Sequence, residues 1–280
     1  MHNGHDMLPA VAENDIPQLL AALVSSSSRV ERVPLSQGPV WIKRYGTERG
    51  PKLLFLQSLI AKLLNKAFLR PSPILTDEEM AEREVRRIEE FAACGVPTPE
   101  VLYRSGRAVV FSDVGITLSR QLSRFGDDAK GHDDLLVYCA AELGALHAAG
   151  LCHGRPYPRD MFIKDGRIGY MDFEEEPTSV MQLSLAQARD VWLLFLQLTS
   201  RARQGRSTYD RAFQAWAERA PSAALGQLKD LTDFLGGLLS IARLIGRIHM
   251  GSDLRRFIDA TSYLKHVSHQ RQDARERQEK

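Results

Sequence analysis

The sequence predicts an α+β protein of two unequal lobes, a small β-rich N-terminal lobe and a mainly helical C-terminal lobe. Three observations lead there. Strand-like alternation falls within residues 29–45 and 100–111, helical periodicity takes over beyond Pro177, and 44% of the 280 residues are hydrophobic, enough to bury a sizeable core. Strands come first and helices last, with no internal repeat.

Apolar residues recur at helical spacing over 15–24, and the serines at 25–28 end that helix. Residues 29–45 read as a hairpin turning at Ser36, Gln37 and Gly38, with 39–45 as its second strand. That strand puts Lys43 on the face opposite Ile42 and Arg44. Residues 52–70 place Phe55, Leu59 and Leu63 on one side and Ser58, Lys62 and Lys66 on the other, the pattern of a basic amphipathic helix. Pro71 and Pro73 stop it. Thr76 and Glu79 form a capping box that opens a second helix through residue 93, with Gly95 as its C-terminal cap.

Val96-Pro97-Thr98-Pro99 forces an extended passage into strands at 100–103 and 107–111, separated by Ser105-Gly106. A helical segment at 117–125, a polar loop at 127–134 and a strongly apolar helix at 135–149 follow, ending at Gly150. Within 161–172, two apolar runs flank Lys164-Asp165-Gly166-Arg167, a hairpin signal. Helices are expected over 183–198, 209–219 and 228–248, the last broken near Gly236-Gly237. Residues 269–280, dense in Arg, Gln, Asp and Glu, read as a mobile charged tail. The implied division is an N-terminal segment 1–28, a first lobe 29–114 containing the basic helix, a second lobe 115–268, and the tail.

Thirty-seven basic and 35 acidic residues leave a formal net charge of +2, too little for nucleic-acid binding through an overall field. The three cysteines, Cys94, Cys139 and Cys152, lie far apart among apolar or small residues and read as reduced core cysteines, with neither disulfide nor zinc spacing. A reducing, cytoplasmic compartment is expected. Residues 1–14 lack the basic start and apolar core of a signal peptide, and no apolar run reaches the roughly 20 residues of a membrane-spanning helix.

The chemistry is concentrated in two stretches. The first runs Leu146-His147-Ala148-Ala149-Gly150-Leu151-Cys152-His153-Gly154-Arg155 and on to Arg159-Asp160-Met161; the second is Tyr170-Met171-Asp172-Phe173-Glu174. Together they resemble the catalytic and metal-binding loops of protein-kinase-like phosphotransferases, where His-x-Asp opens the loop, an Asn follows and Asp-Phe-Gly closes the next hairpin. The resemblance spans roughly residues 29–200. Gly95 to Pro99 and the Leu-His-x-x-Gly-x-x-His-Gly run are similar in flavour to bacterial lipopolysaccharide core and Kdo sugar kinases.

The resemblance implies a role for each matching position. Lys43 would hold the α- and β-phosphates with Glu84 as its ion partner, Asp160 and Asp172 would be the metal ligands, and His153 would brace the loop. Asp190, in Ala188-Arg189-Asp190-Val191-Trp192, would be the structural aspartate beneath it. A lone strand lysine commonly only snorkels, and Glu82 competes with Glu84 for the pairing; the ordered set is what makes these positions a site. The implied cofactors are ATP and Mg2+, with Mn2+ as a substitute.

Three departures from the pattern stand out. Leu35-Ser36-Gln37-Gly38-Pro39 offers one glycine where the phosphate loop of typical kinases has three, Glu174 replaces the Asp-Phe-Gly glycine, and Arg155 stands at the catalytic-base position. Arginine stays protonated at any working pH and accepts no proton. Asp160 or the run Glu174-Glu175-Glu176 would then supply a carboxylate, with Arg155 stabilising transferred charge or touching the acceptor. The leading expectation is an ATP- and magnesium-dependent phosphotransferase acting on a sugar or lipid-linked hydroxyl at the inner face of a bacterial membrane. The alternatives are a pseudokinase-like nucleotide-binding or regulatory module and a protein Ser/Thr kinase. Helix 52–70 reads either as a packing helix or as a peripheral contact with anionic membrane.

Overall fold

The computed structural model describes residues 11–46, 72, 73, 75–248 and 250–278; the basic helix expected over 52–70 lies outside the described residues. The first lobe opens with helix α1 (Ile16–Ser25), then strands β1 (Val30–Leu35) and β2 (Gly38–Arg44), helix α2 (Asp77–Ala93), and strands β3 (Val101–Ser105) and β4 (Ala108–Ser112). The strands form one antiparallel sheet in the order β1-β2-β4-β3. Alternation sorts its faces. Val33, Val40, Ile42, Leu102 and Val110 pack under Leu19 of α1, while Val109 and Phe111 face α2 and the main core. Lys43 thereby points to the α2 side.

Helix α2 forms where its capping box predicts it, with both Thr76 and Glu79 bonds made. It turns Glu84, Arg87, Ile88 and Phe91 inward at spacings of three and four residues. Arg87 donates to the carbonyl of Cys152 and lies over the Phe91 ring, which ties the first lobe to the loop after Gly150.

The second lobe contains α3 (Leu118–Leu122), α4 (Ala129–Ala148), the hairpin β5 (Met161–Lys164) and β6 (Arg167–Tyr170), α5 (Leu183–Arg201), α6 (Arg206–Ala217), α7 (Ser222–Gly237), α8 (Leu239–Ile248) and α9 (Ser252–Gln278). Its core is built on Trp216, Phe195, Phe173, Tyr170, Leu136 and Leu143. Gly144 lets α4 approach α6 closely, since a Cβ there would stand 2.6 Å from the Trp216 carbonyl oxygen. The two-lobed α+β architecture is the predicted one.

Three local expectations change. Asp128 caps Gly131, so the supposed loop 127–134 is helical from Ala129 onward. The expected tail from His269 continues α9 through Gln278: His269 pairs with Asp233 at 2.6 Å and Arg271 donates to the Ala217 carbonyl, so docking supplies what composition does not. Cys139 and Cys152 are buried, and burial pushes both thiols up to about 12, whereas Cys94 is exposed instead of lying in the core.

Candidate functional site

The strand alternation that turns Lys43 toward α2 sets its ammonium 2.7 Å from Glu84 and 2.6 Å from Asp172. Glu174 completes the ring at 2.9 Å. Burial alone would weaken the ammonium's hold on its proton, but Glu84, Asp172 and Glu174 outweigh it and the Lys43 pKa rises. Glu84 is the partner chosen over Glu82: it is buried, and Tyr45 also donates to it, whereas Glu82 is exposed. Burial raises the Glu84 carboxyl despite Lys43 beside it.

The loop after Gly150 is braced from below. Asp190, fully buried on α5, accepts the backbone N–H of His153 at 2.6 Å and of Gly154 at 2.9 Å. Gly154 has a φ of +102°, and a Cβ there would meet Glu175 at 3.0 Å, so glycine is required by both backbone and space. The His153 ring fixes its own tautomer. Nε2 lies 3.0 Å from the Met171 carbonyl, which only accepts, and Nδ1 accepts the Arg155 N–H at 3.2 Å. Burial lowers the His153 pKa, so the ring is a neutral strut joining the two loops.

Asp172 adopts a φ of +66°; among described residues only Asp165, in the β5–β6 turn, shares this region without being glycine. At Asp165 a tight turn needs the conformation. At Asp172 the strained backbone aims the carboxylate at Lys43, a placement typical of functional sites. Burial opposes ionisation of Asp172, yet Lys43 and Arg155 hold its carboxyl down at about 2. Arg155 donates to Asp172 Oδ2 at 2.7 Å and brings its Nε within 3.6 Å of Asp160 Oδ2. It therefore spans the two carboxylates expected to bind metal. Asp160 itself is pushed up to about 6 by burial and by the charge of Asp172.

A cavity of about 300 Å³ opens beside these groups, with Val30, Trp41, Phe111 and Met171 as apolar walls and Ser112, Val114 and Gly115 along the chain joining the lobes. Lys43, Arg29 and Asp172 line it as well. The turn at residues 35–39, set apart from a phosphate loop by its single glycine, is elsewhere. Lys43 pairs with Val30 at the start of β1, whereas Gly38 pairs with Leu35 at the far end of the hairpin, roughly 17 Å along the strand. Ser36 is pinned there to Asp15, with hydrogen bonds of 3.0 and 2.6 Å. The chain entering β1 at Arg29 is what lies at the Lys43 end.

All seven expected site residues, Lys43, Glu84, His153, Arg155, Asp160, Asp172 and Asp190, belong to this one connected assembly. Tyr45, Arg29 and the pairing of Glu174 with Lys43 were missed. Strand parity places Tyr45 on the face of Lys43 and would have found it. Glu174 also pairs with Arg29, Glu175 with Arg189 at 2.7 Å and Glu176 with Arg86 at 2.7 Å, so the acidic run is committed to ion pairs.

The donor sets distinguish two cation positions. Oxygens of Glu84, Asp172 and Glu174 lie within 4.8 Å of one another, but the Lys43 ammonium already sits among them. Among the described residues the buried Asp160 Oδ2 has no hydrogen-bond partner, and burial together with the charge of Asp172 raises its pKa. A hard oxygen donor in that condition fits magnesium, and it is Asp160 that meets it, whereas both oxygens of Asp172 are held by Lys43 and Arg155.

No family model matches the chain. Over 112 residues it is 32% identical to an uncharacterised protein of Haemophilus influenzae, a match covering 40% of this chain. The chain spans 44% of that relative's length. Among solved structures it is similar to the MAP kinase LmaMPK10 of Leishmania major, at 18% identity and a TM-score of 0.36 over 92% of this chain and 88% of that one. A second structure of the same kinase, solved as a complex, gives 15% identity and a TM-score of 0.35 over 90% and 86%. At such TM-scores the similarity lends no weight, and the functional reading rests on the side chains themselves.

Proposed function

We propose that the chain binds ATP with a divalent cation between its lobes and transfers the terminal phosphoryl group to a sugar or lipid-linked hydroxyl. The observation that carries this reading is Lys43, a buried lysine gripped by Glu84 and Asp172 on the wall of the interlobe cavity. Phosphoryl transfer passes through a loose transition state, so positioning and charge neutralisation do most of the work. Lys43 and Arg155 are the positive groups suited to phosphates, with Arg29 at the same end. Asp160 and Asp172 would hold magnesium or manganese, which neutralises phosphate charge when bound. Arg155 takes no proton from the acceptor; a general base is typically worth about 10² to 10⁴ in rate, so transfer without one is slow but not abolished.

Between Asp172 and the start of α5 at Leu183 the chain holds only the short 3-10 turn Pro177–Ser179. That leaves little platform for docking a peptide, which favours a small or lipid-linked acceptor over a protein. By the resemblance to lipopolysaccharide core kinases, the corresponding place of action is the inner face of a bacterial membrane. A second reading, a nucleotide-binding module without catalysis, is favoured by the Arg155–Asp172 ion pair at the base position.

The test is mass-detected transfer from ATP into bacterial membrane extracts, with Asp172→Asn alongside. Transfer by the native chain alone is the expected result, and equal transfer by both removes Asp172 from the site. Nucleotide at about 100 times its dissociation constant should add roughly 2.7 kcal/mol of stability. Such stabilisation without transfer would leave the binding module as the function.

A further inference from the structure

Nine large hydrophobic side chains are strongly exposed among the described residues, and five of them, Leu238, Ile241, Leu244, Ile245 and Met250, lie on or beside α8. Ile241 and Leu244 are each 59% exposed and Ile245 51%. The pattern around the helix explains why. Leu239 and Ala242 turn inward and are buried, which fixes α8 against α7 and α9, and the next face round carries the exposed apolar row. Arg243 and Arg247, both exposed, form a separate row on the remaining shoulder, and no acidic residue occurs between Leu239 and Ile248. A clustered apolar surface of this kind marks a binding face, in contrast to singly scattered residues.

We propose that α8 lies on an anionic lipid surface, with Ile241, Leu244 and Ile245 entering the boundary between headgroups and acyl chains and the two arginines resting among the phosphates. Charge decides between lipid and a second copy of this chain. A two-fold pairing through this face would bring the Arg243–Arg247 rows of both copies together with no acid on the helix to offset them. Anionic headgroups supply the missing counter-charge. The ten-residue helix with apolar and basic rows side by side has the make-up of an interfacial segment. This inference does not depend on what the interlobe cavity binds.

The experiment is co-flotation of the full chain with vesicles of phosphatidylcholine alone or with about one-quarter phosphatidylglycerol, at low and raised salt. Binding is expected to the anionic vesicles and to weaken with salt. Ile241→Ser/Leu244→Ser/Ile245→Ser should lower it about a hundredfold, since three partly buried apolar side chains are lost. Arg243→Gln/Arg247→Gln should lower it about thirtyfold. Both variants alter exposed positions, and an unchanged thermal melt verifies their folding. Failure of the native chain to bind either vesicle, or equal binding by the triple variant, overturns the proposal. So does a dimer in solution that the triple variant turns into monomer, because the face then belongs to a second copy.

Discussion

Asp133 and Asp160 are both buried aspartates of the second lobe, and their surroundings are opposite. Asp133 accepts the backbone N–H of Arg203 at 3.0 Å and of Gln204 at 2.7 Å, the Thr208 hydroxyl at 2.5 Å, and faces His132 Nδ1 at 2.7 Å. Burial works against its charge, but these donors prevail and lower its carboxyl. Among the described residues the Asp160 carboxylate meets Arg155 and Arg159, at 3.6 and 3.5 Å, and its carboxyl rises to about 6. The difference shows how a buried acid is to be read. One saturated by fixed donors staples the chain, whereas one left short of them is held ready for a cation.

The largest expected effect falls on the staple. Asp133→Ala strands the N–H groups of Arg203 and Gln204 and should cost about 4 kcal/mol in urea unfolding, while nucleotide affinity of the folded fraction stays unchanged. A loss of affinity would break the contrast. Lys43→Met comes next. Removing the ammonium takes the ion partner from buried Glu84 and leaves Asp172 and Glu174 to Arg155 and Arg29 alone, which should cost about 3 kcal/mol and abolish the thermal shift with nucleotide.

Asp160→Asn sharpens the comparison because its sign is reversed. The folded-state pKa of Asp160 is raised, so its contribution to stability is present at acid pH and lost as the pH climbs through about 6. The substitution should therefore stabilise the chain by about 2 kcal/mol near pH 7.5, with little gain near pH 4, while abolishing the magnesium-dependent part of nucleotide binding. In the native chain that part should fade as the pH drops below about 6, where Asp160 takes up a proton. Calorimetric melts and titrations at several pH values check both.

What the sequence made legible is what local chemistry determines. Thr76 with Glu79 set the start of α2 and Lys164-Asp165-Gly166-Arg167 set the β5–β6 turn, while the convergence of Lys43, Glu84, His153, Asp160 and Asp172 was anticipated by the resemblance their motifs carry. What stayed hidden depends on partners far along the chain. Residues 129–134 look like a polar loop because the groups that satisfy them, around Arg203, Thr208 and Arg211, arrive from another helix. The distance of the turn at residues 35–39 from the lysine stayed hidden because strand order alone does not say which end of a hairpin faces it; the pairing of Val30 with Lys43 does. The exposed row on α8 hid inside a pattern that reads equally well as a core helix.

The ring of ion pairs around Lys43 has a kinetic consequence. Among the described residues, the carboxylates of Glu84, Asp172 and Glu174 are matched one for one by Lys43, Arg155 and Arg29, so these six groups add no net charge to the resting cleft. A diffusing anion is not drawn in from a distance. It is captured only after arrival, by trading places with carboxylates already in contact, and its encounter rate belongs with that of uncharged ligands.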